Sequence, residues 1–124
     1  MRPDLDKLQG TWDVVALEIE GARMDEGVFR GSRIVVKGDS FSTISMGATY
    51  SGKIRLNASA SPAKLDLMFE EGPSAGMIQR GIYELSGDTL RVCFSTPGKE
   101  RPSQLATKAG EGRTLAVWKR DREK

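Results

Sequence analysis

Hydrophobic and polar residues alternate along most of this chain. In one stretch Tyr50, Gly52, Ile54 and Leu56 fall on one side, with Ser51, Lys53, Arg55 and Asn57 on the other. Leu65, Leu67 and Phe69 form a second row, with Asp66 and Glu70 on the opposite face. A period of two marks a half-buried β-strand. Runs rich in Val, Ile, Thr, Phe and Tyr, punctuated by Gly, Asp, Ser and Pro, predict eight strands at 11–20, 32–37, 40–46, 49–57, 64–70, 77–85, 89–95 and 113–119. No long helical period separates them, so the sheet is expected to be antiparallel. Ahead of the first strand, residues 3–9 predict a short helical turn, with Pro3 early and Gly10 as its stop.

Two turns fix the register of their strands. In "LSGDTL", a Gly87-Asp88 turn pairs Ser86 with Thr89. Leu85 then faces Leu90, Tyr83 faces Val92 and Gly81 faces Phe94, all on one side, while Glu84 meets Arg91 on the other. In "VKGDSF", a Gly38-Asp39 turn sets Val36 against Phe41 and Ile34 against Thr43. One apolar face per strand, with no helix to cover it, calls for a second layer or a closed sheet. The economical solution is an eight-stranded antiparallel up-and-down barrel spanning residues 1–124 as a single domain; an open two-sheet sandwich is the alternative.

Composition narrows the chemistry. The chain has 124 residues and a net charge of +2, too small a field to point to nucleic acid or a membrane surface. It contains no histidine, which removes Ser-His-Asp and Cys-His nucleophile systems and His-ligated metals. Its single cysteine allows neither an intrachain disulfide nor a thiolate-rich zinc site. These absences argue against catalysis, and nothing implies a cofactor. The first residues lack the apolar core of a signal peptide, and no apolar run is long enough to span a bilayer, so a cytoplasmic location is the default expectation.

The ends of the chain carry a resemblance. Gly10 and Trp12 open the first strand and Arg120 follows the last; in a closed barrel these strands are neighbours, and the guanidinium can stack on the indole. A Gly-x-Trp packed with such an Arg resembles the lipocalin and calycin superfamily. The segments "DLDKLQGTWDVVALEIEG", "KLDLMF", "GIYELSGDTLRVCFS", "RPSQLATK" and "VWKR" cover most of the chain and look like the lipocalin-like domain family abundant in planctomycetes and related soil bacteria. Leu105 departs from that pattern, where an aromatic is commoner. The resemblance implies the barrel and the structural role of Gly10, Trp12 and Arg120, and brings no activity.

Eight-stranded barrels are either filled or hold one small ligand. Phe41, Tyr50, Phe69, Met77 and Tyr83, with Met68, are candidates to line a cavity, and Thr43 and Ser45 can add polar points. Gly52 and Gly81, on the inward rows, leave room for it. The segment 96–112 is the longest irregular stretch, and loops of that length often serve function. If it borders the barrel mouth, Arg80, Lys99, Arg101 and Lys108 can receive an anionic head group. Cys93 falls on the same face as Ile82, opposite the inward row, and reads as a packed thiol. Two functions stay open: a binding module for a small apolar or amphipathic ligand, or a filled barrel that meets a protein partner through its rim.

Overall fold

A computed structural model describes residues 6–45, 48–57, 59, 63–73, 75–96 and 100–121. The alternating segments form strands β1 (Gly10–Ile19), β2 (Ala22–Arg23), β3 (Arg33–Lys37), β4 (Ser40–Ser45), β5 (Ala48–Asn57), β6 (Ala63–Glu71), β7 (Ile78–Ser86), β8 (Thr89–Ser95) and β9 (Arg113–Arg120). The two-residue β2 folds back on β1 alone. From β3 to β9 each strand pairs antiparallel with the next, β1 pairs with β3, and β9 returns to β1. The eight longer strands therefore close into an antiparallel up-and-down barrel, which leaves none of them with a free edge. The N-terminal turn is described only from Asp6 and is helical at 6–7. Residues 1–5, Met46, Lys99 and the tail at 122–124, which also carried expectations, lie outside the described residues.

Both predicted turns form with the expected register. Val36 pairs with Phe41 and Ile34 with Thr43 across β3–β4. Leu85, Tyr83 and Gly81 pair with Leu90, Val92 and Phe94 across β7–β8. On the outer face, Glu84 and Arg91 make a salt bridge of 3.0 Å. Gly38 and Gly87 supply the positive φ that these two-residue turns need.

Two features escape simple alternation. The β1–β9 register slips between Val14 and Ala16, which leaves Val15 46% exposed. This bulge reverses the parity of the strand's second half. Leu17 turns inward where unbroken alternation would place Ala16 and Glu18. A one-turn helix, α1 (Glu26–Phe29), follows β2 and carries the buried Phe29.

The end of the barrel at Gly10 and the 38–39 and 87–88 turns is filled. Leu8, Trp12, Leu65, Leu90 and Val92 have no exposure there, and Val36 and Ile54 have almost none. Trp12 Nε1 donates to the Leu8 carbonyl at 2.8 Å, which fastens the N-terminal turn across this end. Arg120 closes the plug. Its guanidinium carbon lies 4.4 Å from the Trp12 ring centroid, and its nitrogens donate to Asp88 Oδ1 at 3.0 Å, to the Gln9 carbonyl at 2.6 Å and to the Lys7 carbonyl. Gly10 has φ +115°, a backbone conformation L side chains rarely adopt, which explains glycine at this position.

Of the segment 96–112, residues 100–112 do not border the cavity described below; they lie against the outer wall. Ile82 and Cys93, paired across β7–β8 on the outward face, are 1% and 0% exposed beneath it. Arg101 anchors this strap with a bidentate pair to Asp66, at 2.6 and 3.2 Å, and a bond to the Gly81 carbonyl at 2.8 Å. The strap also grips β1: Thr107 donates to Glu18 and accepts from Gly21 N at 2.7 Å, and Gly110 N donates to Glu20 at 2.9 Å.

Candidate ligand-binding cavity

The opposite end of the barrel is hollow. A cavity of about 330 Å³ opens there, bounded by β1, α1, β3, β4, β5, β6, β7 and β9. The barrel is thus filled in one half and empty in the other, for a reason visible in the rows. At the closed end most inward positions carry a bulky apolar side chain, Gly10 and Ala63 being the small ones. Towards the open end the inward positions become Ser32, Thr43, Gly52, Tyr50, Gln79 and Ala116, several of them too small to meet across the lumen.

Apolar side chains make most of the wall. Val14, Leu17, Ile34, Leu67, Phe69 and Trp118 contribute, together with Phe29 from α1 and Phe41 from β4. The aromatic part is ordered edge to face. Phe41 and Phe69 sit with ring centroids 5.5 Å apart, and Tyr50 and Phe69 at 5.7 Å. Gly52 lies between Phe41 and Phe69 in the sheet register. A Cβ there would fall 1.9 Å from the Met68 carbonyl oxygen, so the strands approach at Gly52 as no other residue permits. Gly81 does not enlarge the cavity, because the Phe94 ring packs 2.7 Å from where its Cβ would be.

Four neutral polar side chains complete the lining: Ser32, Thr43, Tyr50 and Gln79. Each stands one inward step nearer the open end than an apolar or glycine position of its own strand or lead-in: Ile34, Phe41, Gly52 and Gly81 respectively. Thr43 and Tyr50 pair with each other towards the open end, while Gln79 pairs with Leu67 and Ser32 lies beside Val14, so the polar groups are interspersed with apolar ones. None of the four makes a side-chain hydrogen bond among the described residues. Among the described residues, no Asp, Glu, Lys or Arg lines the cavity.

The structure brings together Phe41, Tyr50 and Phe69 as expected, with Thr43 beside them. Met77 precedes β7 and is 50% exposed, outside the lining. Tyr83 points inward but is buried at 3% exposure in the filled half. Met68 pairs with Lys53 and Ile78 on the outward face. Arg80 is exposed on the outward face opposite Asp66, and Arg101 is spent on Asp66 in the strap. Neither arginine touches the cavity, because the long segment that was expected to carry a basic rim folds down the outside of the barrel. Ser32, Gln79, Leu17, Phe29 and Trp118 were not anticipated. The inward parity of Gln79, two residues before Gly81, was the readable signal; the bulge concealed Leu17.

Cys93 is the single cysteine of the chain. It is buried beneath the strap, with its Sγ 3.6 Å from the Ala106 carbonyl oxygen. Desolvation pushes its thiol above the ordinary value of 9.0, outweighing the lowering effects of that backbone contact and of Arg113. A thiol so placed is a poor nucleophile. Among the described residues, no cluster of three or more His, Cys, Asp or Glu side chains could hold a metal ion. No helix among them is long and apolar enough to cross a membrane. Comparison with known proteins found no matching family model, no matching curated protein and no matching solved structure.

Proposed function

We propose that the protein is a lipocalin-like binding module that takes one small apolar or amphipathic molecule into the open half of its barrel. The carrying observation is the 330 Å³ cavity, whose wall is largely apolar and whose few polar side chains are uncharged. Ligand sites of this size and lining are the common form of small-molecule pocket. The plug of Gly10, Trp12 and Arg120 at the other end supports kinship with lipocalin-like barrels, whose first and last strands close in this way. Binding rather than catalysis fits a chain without histidine, with its one thiol buried away from the cavity. The hollow half weighs against a completely filled barrel that serves only protein partners.

The test is titration with 1-naphthylamine, a probe of eleven non-hydrogen atoms that is uncharged at neutral pH and whose emission shifts in apolar surroundings. Trp118 lies in the cavity wall and serves as an energy donor to it. Saturable binding with Trp-sensitised emission is expected. Ala116→Phe, which grows a ring into the cavity from β9, should weaken it at least about tenfold, since overlap with the ligand forfeits several kcal/mol of contact. Failure of the probe to bind the wild type, or equal binding to a folded Ala116→Phe variant, would remove the proposal.

A further inference from the structure

We infer that the cavity selects an uncharged amphipathic ligand: an apolar body of about ten carbons ending in one hydrogen-bonding group, such as a hydroxyl or carbonyl, held by Ser32, Thr43, Tyr50 and Gln79. This rests on the binding reading above and adds the ligand's charge, size and orientation.

Charge follows from what lines the wall. An ionised carboxylate or ammonium drawn into an apolar cavity needs an opposite charge or it stays partly in water. None of the lining residues carries one. The arginines expected to serve are elsewhere: Arg80 faces outward, and Arg101 is held in a 2.6 Å ion pair with Asp66. Ligands of either sign are therefore disfavoured against a neutral one of the same length.

Orientation follows from where the polar side chains stand. Thr43 and Tyr50, paired across β4–β5, stand one inward step nearer the open end than Phe41 and Gly52, with Gln79 beside Leu67 and Ser32 beside Val14. Ser32 is the telling member. It is only 5% exposed, lines the cavity, and its hydroxyl has no hydrogen-bond partner among the described residues. Among the described residues no wholly buried side-chain oxygen or nitrogen lacks a partner, so the Ser32 hydroxyl keeps some contact with solvent through the cavity. A wholly apolar ligand would strip water from these groups and leave them unpaired, which is costly. A ligand with one polar end replaces that water. Gln79 offers both a donor and an acceptor, and the three hydroxyls can act as either, so the set serves hydroxyl and carbonyl ends alike.

Size follows from volume. An apolar cavity of about 150 Å³ accommodates benzene. The present cavity, at about 330 Å³, scales to about twelve non-hydrogen atoms.

The experiment displaces 1-naphthylamine with 1-decanol, decanoate and decylamine at neutral pH, below their aggregation concentrations. Decanol is expected to bind at least about tenfold more tightly than either charged analogue. In the series from hexanol to tetradecanol, affinity should rise about fourfold per methylene and level off near ten to twelve carbons. The double variant Thr43→Val, Tyr50→Phe removes two hydroxyls at nearly constant shape. It should lower decanol affinity about fivefold or more at an unchanged urea midpoint, the separation that distinguishes lost hydrogen bonds from lost folding. Gln79→Lys places a cation in the cavity wall and should turn the preference towards decanoate. Decanoate or decylamine equalling decanol in the wild type, or an unchanged decanol affinity in the double variant, would overturn the inference while leaving probe binding, and so the cavity reading, intact. Absence of probe binding would overturn both.

Discussion

Replacing Arg120 with Met keeps an apolar stem over Trp12 and removes the guanidinium. That group stands 4.4 Å from the indole centroid and bonds Asp88 and the carbonyls of Gln9 and Lys7. A hydrogen bond to a charged group contributes about 1.5–3 kcal/mol and a cation–π contact about 0.5–2 kcal/mol. Simple addition overstates the loss, because the Arg120 and Asp88 side chains are 21% and 34% exposed and solvent screens the pair. Lys7 is exposed as well, so its carbonyl regains water. The terms that survive are the Gln9 carbonyl, the indole contact, and part of the docking of the fully buried Leu8. Together they predict a loss of about 2–4 kcal/mol for Arg120→Met, which for a domain of this size lowers Tm by about 10 °C or more. Arg120→Lys keeps the charge but not the fork, and should lose about half as much. Urea unfolding followed by tryptophan fluorescence measures both, and a fall in m would show the N-terminal turn undocking in the folded state. A loss below about 1 kcal/mol for Arg120→Met would refute the reasoning. So would weaker probe binding at unchanged stability, since that would place Arg120 at the ligand rather than in the plug.

Further outcomes follow from the strap and the glycines. Arg101→Met removes the anchor to Asp66 and should speed alkylation of Cys93 several-fold, as the wall beneath 100–107 opens, while leaving probe affinity unchanged; a loss of probe affinity would return Arg101 to the mouth. The thiol of Cys93 has a folded-state pKa raised above 9.0 by burial. Its contribution to stability is fully present below pH 9 and lost as pH rises through the folded value, because the unfolded chain releases the proton first. Cys93→Ala should therefore lessen the decline in stability above pH 9, measured by urea midpoints across pH 7–10.5, relative to the wild type. Gly52→Ala, whose new Cβ would meet backbone at 1.9 Å, should lower the urea midpoint more than Gly81→Ala, where the contacts are 2.7 Å and one is the Phe94 ring. The reverse order would show that the β5–β6 approach relaxes easily.

Much of the barrel was readable because turn chemistry and alternation agree. Gly38-Asp39 and Gly87-Asp88 each fix a two-residue turn, and once a turn is fixed every cross-strand pair follows, down to Glu84 beside Arg91. Inward parity alone assigned Phe41, Tyr50 and Phe69 to the lumen. The same parity placed Arg80 outward between Gln79 and Gly81, against the expectation that it serves a ligand. What alternation cannot carry is a break in itself. The bulge at Val15 swaps Leu17 for Glu18 on the inner face, and no local residue announces it. The strap was hidden for a different reason. Its Pro- and Gly-rich sequence has no period, and its position is set by what it covers. Ile82 and Cys93, two apolar residues paired between Arg80 and Glu84 on one strand and Arg91 and Ser95 on the other, were the sign that something lies over them.

The extent of the cavity depended on side-chain size row by row, which a strand pattern does not report. The step from Trp12, Leu65 and Leu90 at one end to Ser32, Thr43 and Ala116 at the other is what divides a filled half from a hollow one. The most direct test of that division, and of the function drawn from it, is a crystal structure of the protein grown with 1-decanol. The account predicts continuous density for the chain against Phe41, Leu67 and Trp118, with its oxygen within about 3.2 Å of Thr43, Tyr50, Ser32 or Gln79. A cavity collapsed by inward movement of Phe29 or Tyr50, or an alcohol bound only elsewhere on the surface, would contradict it.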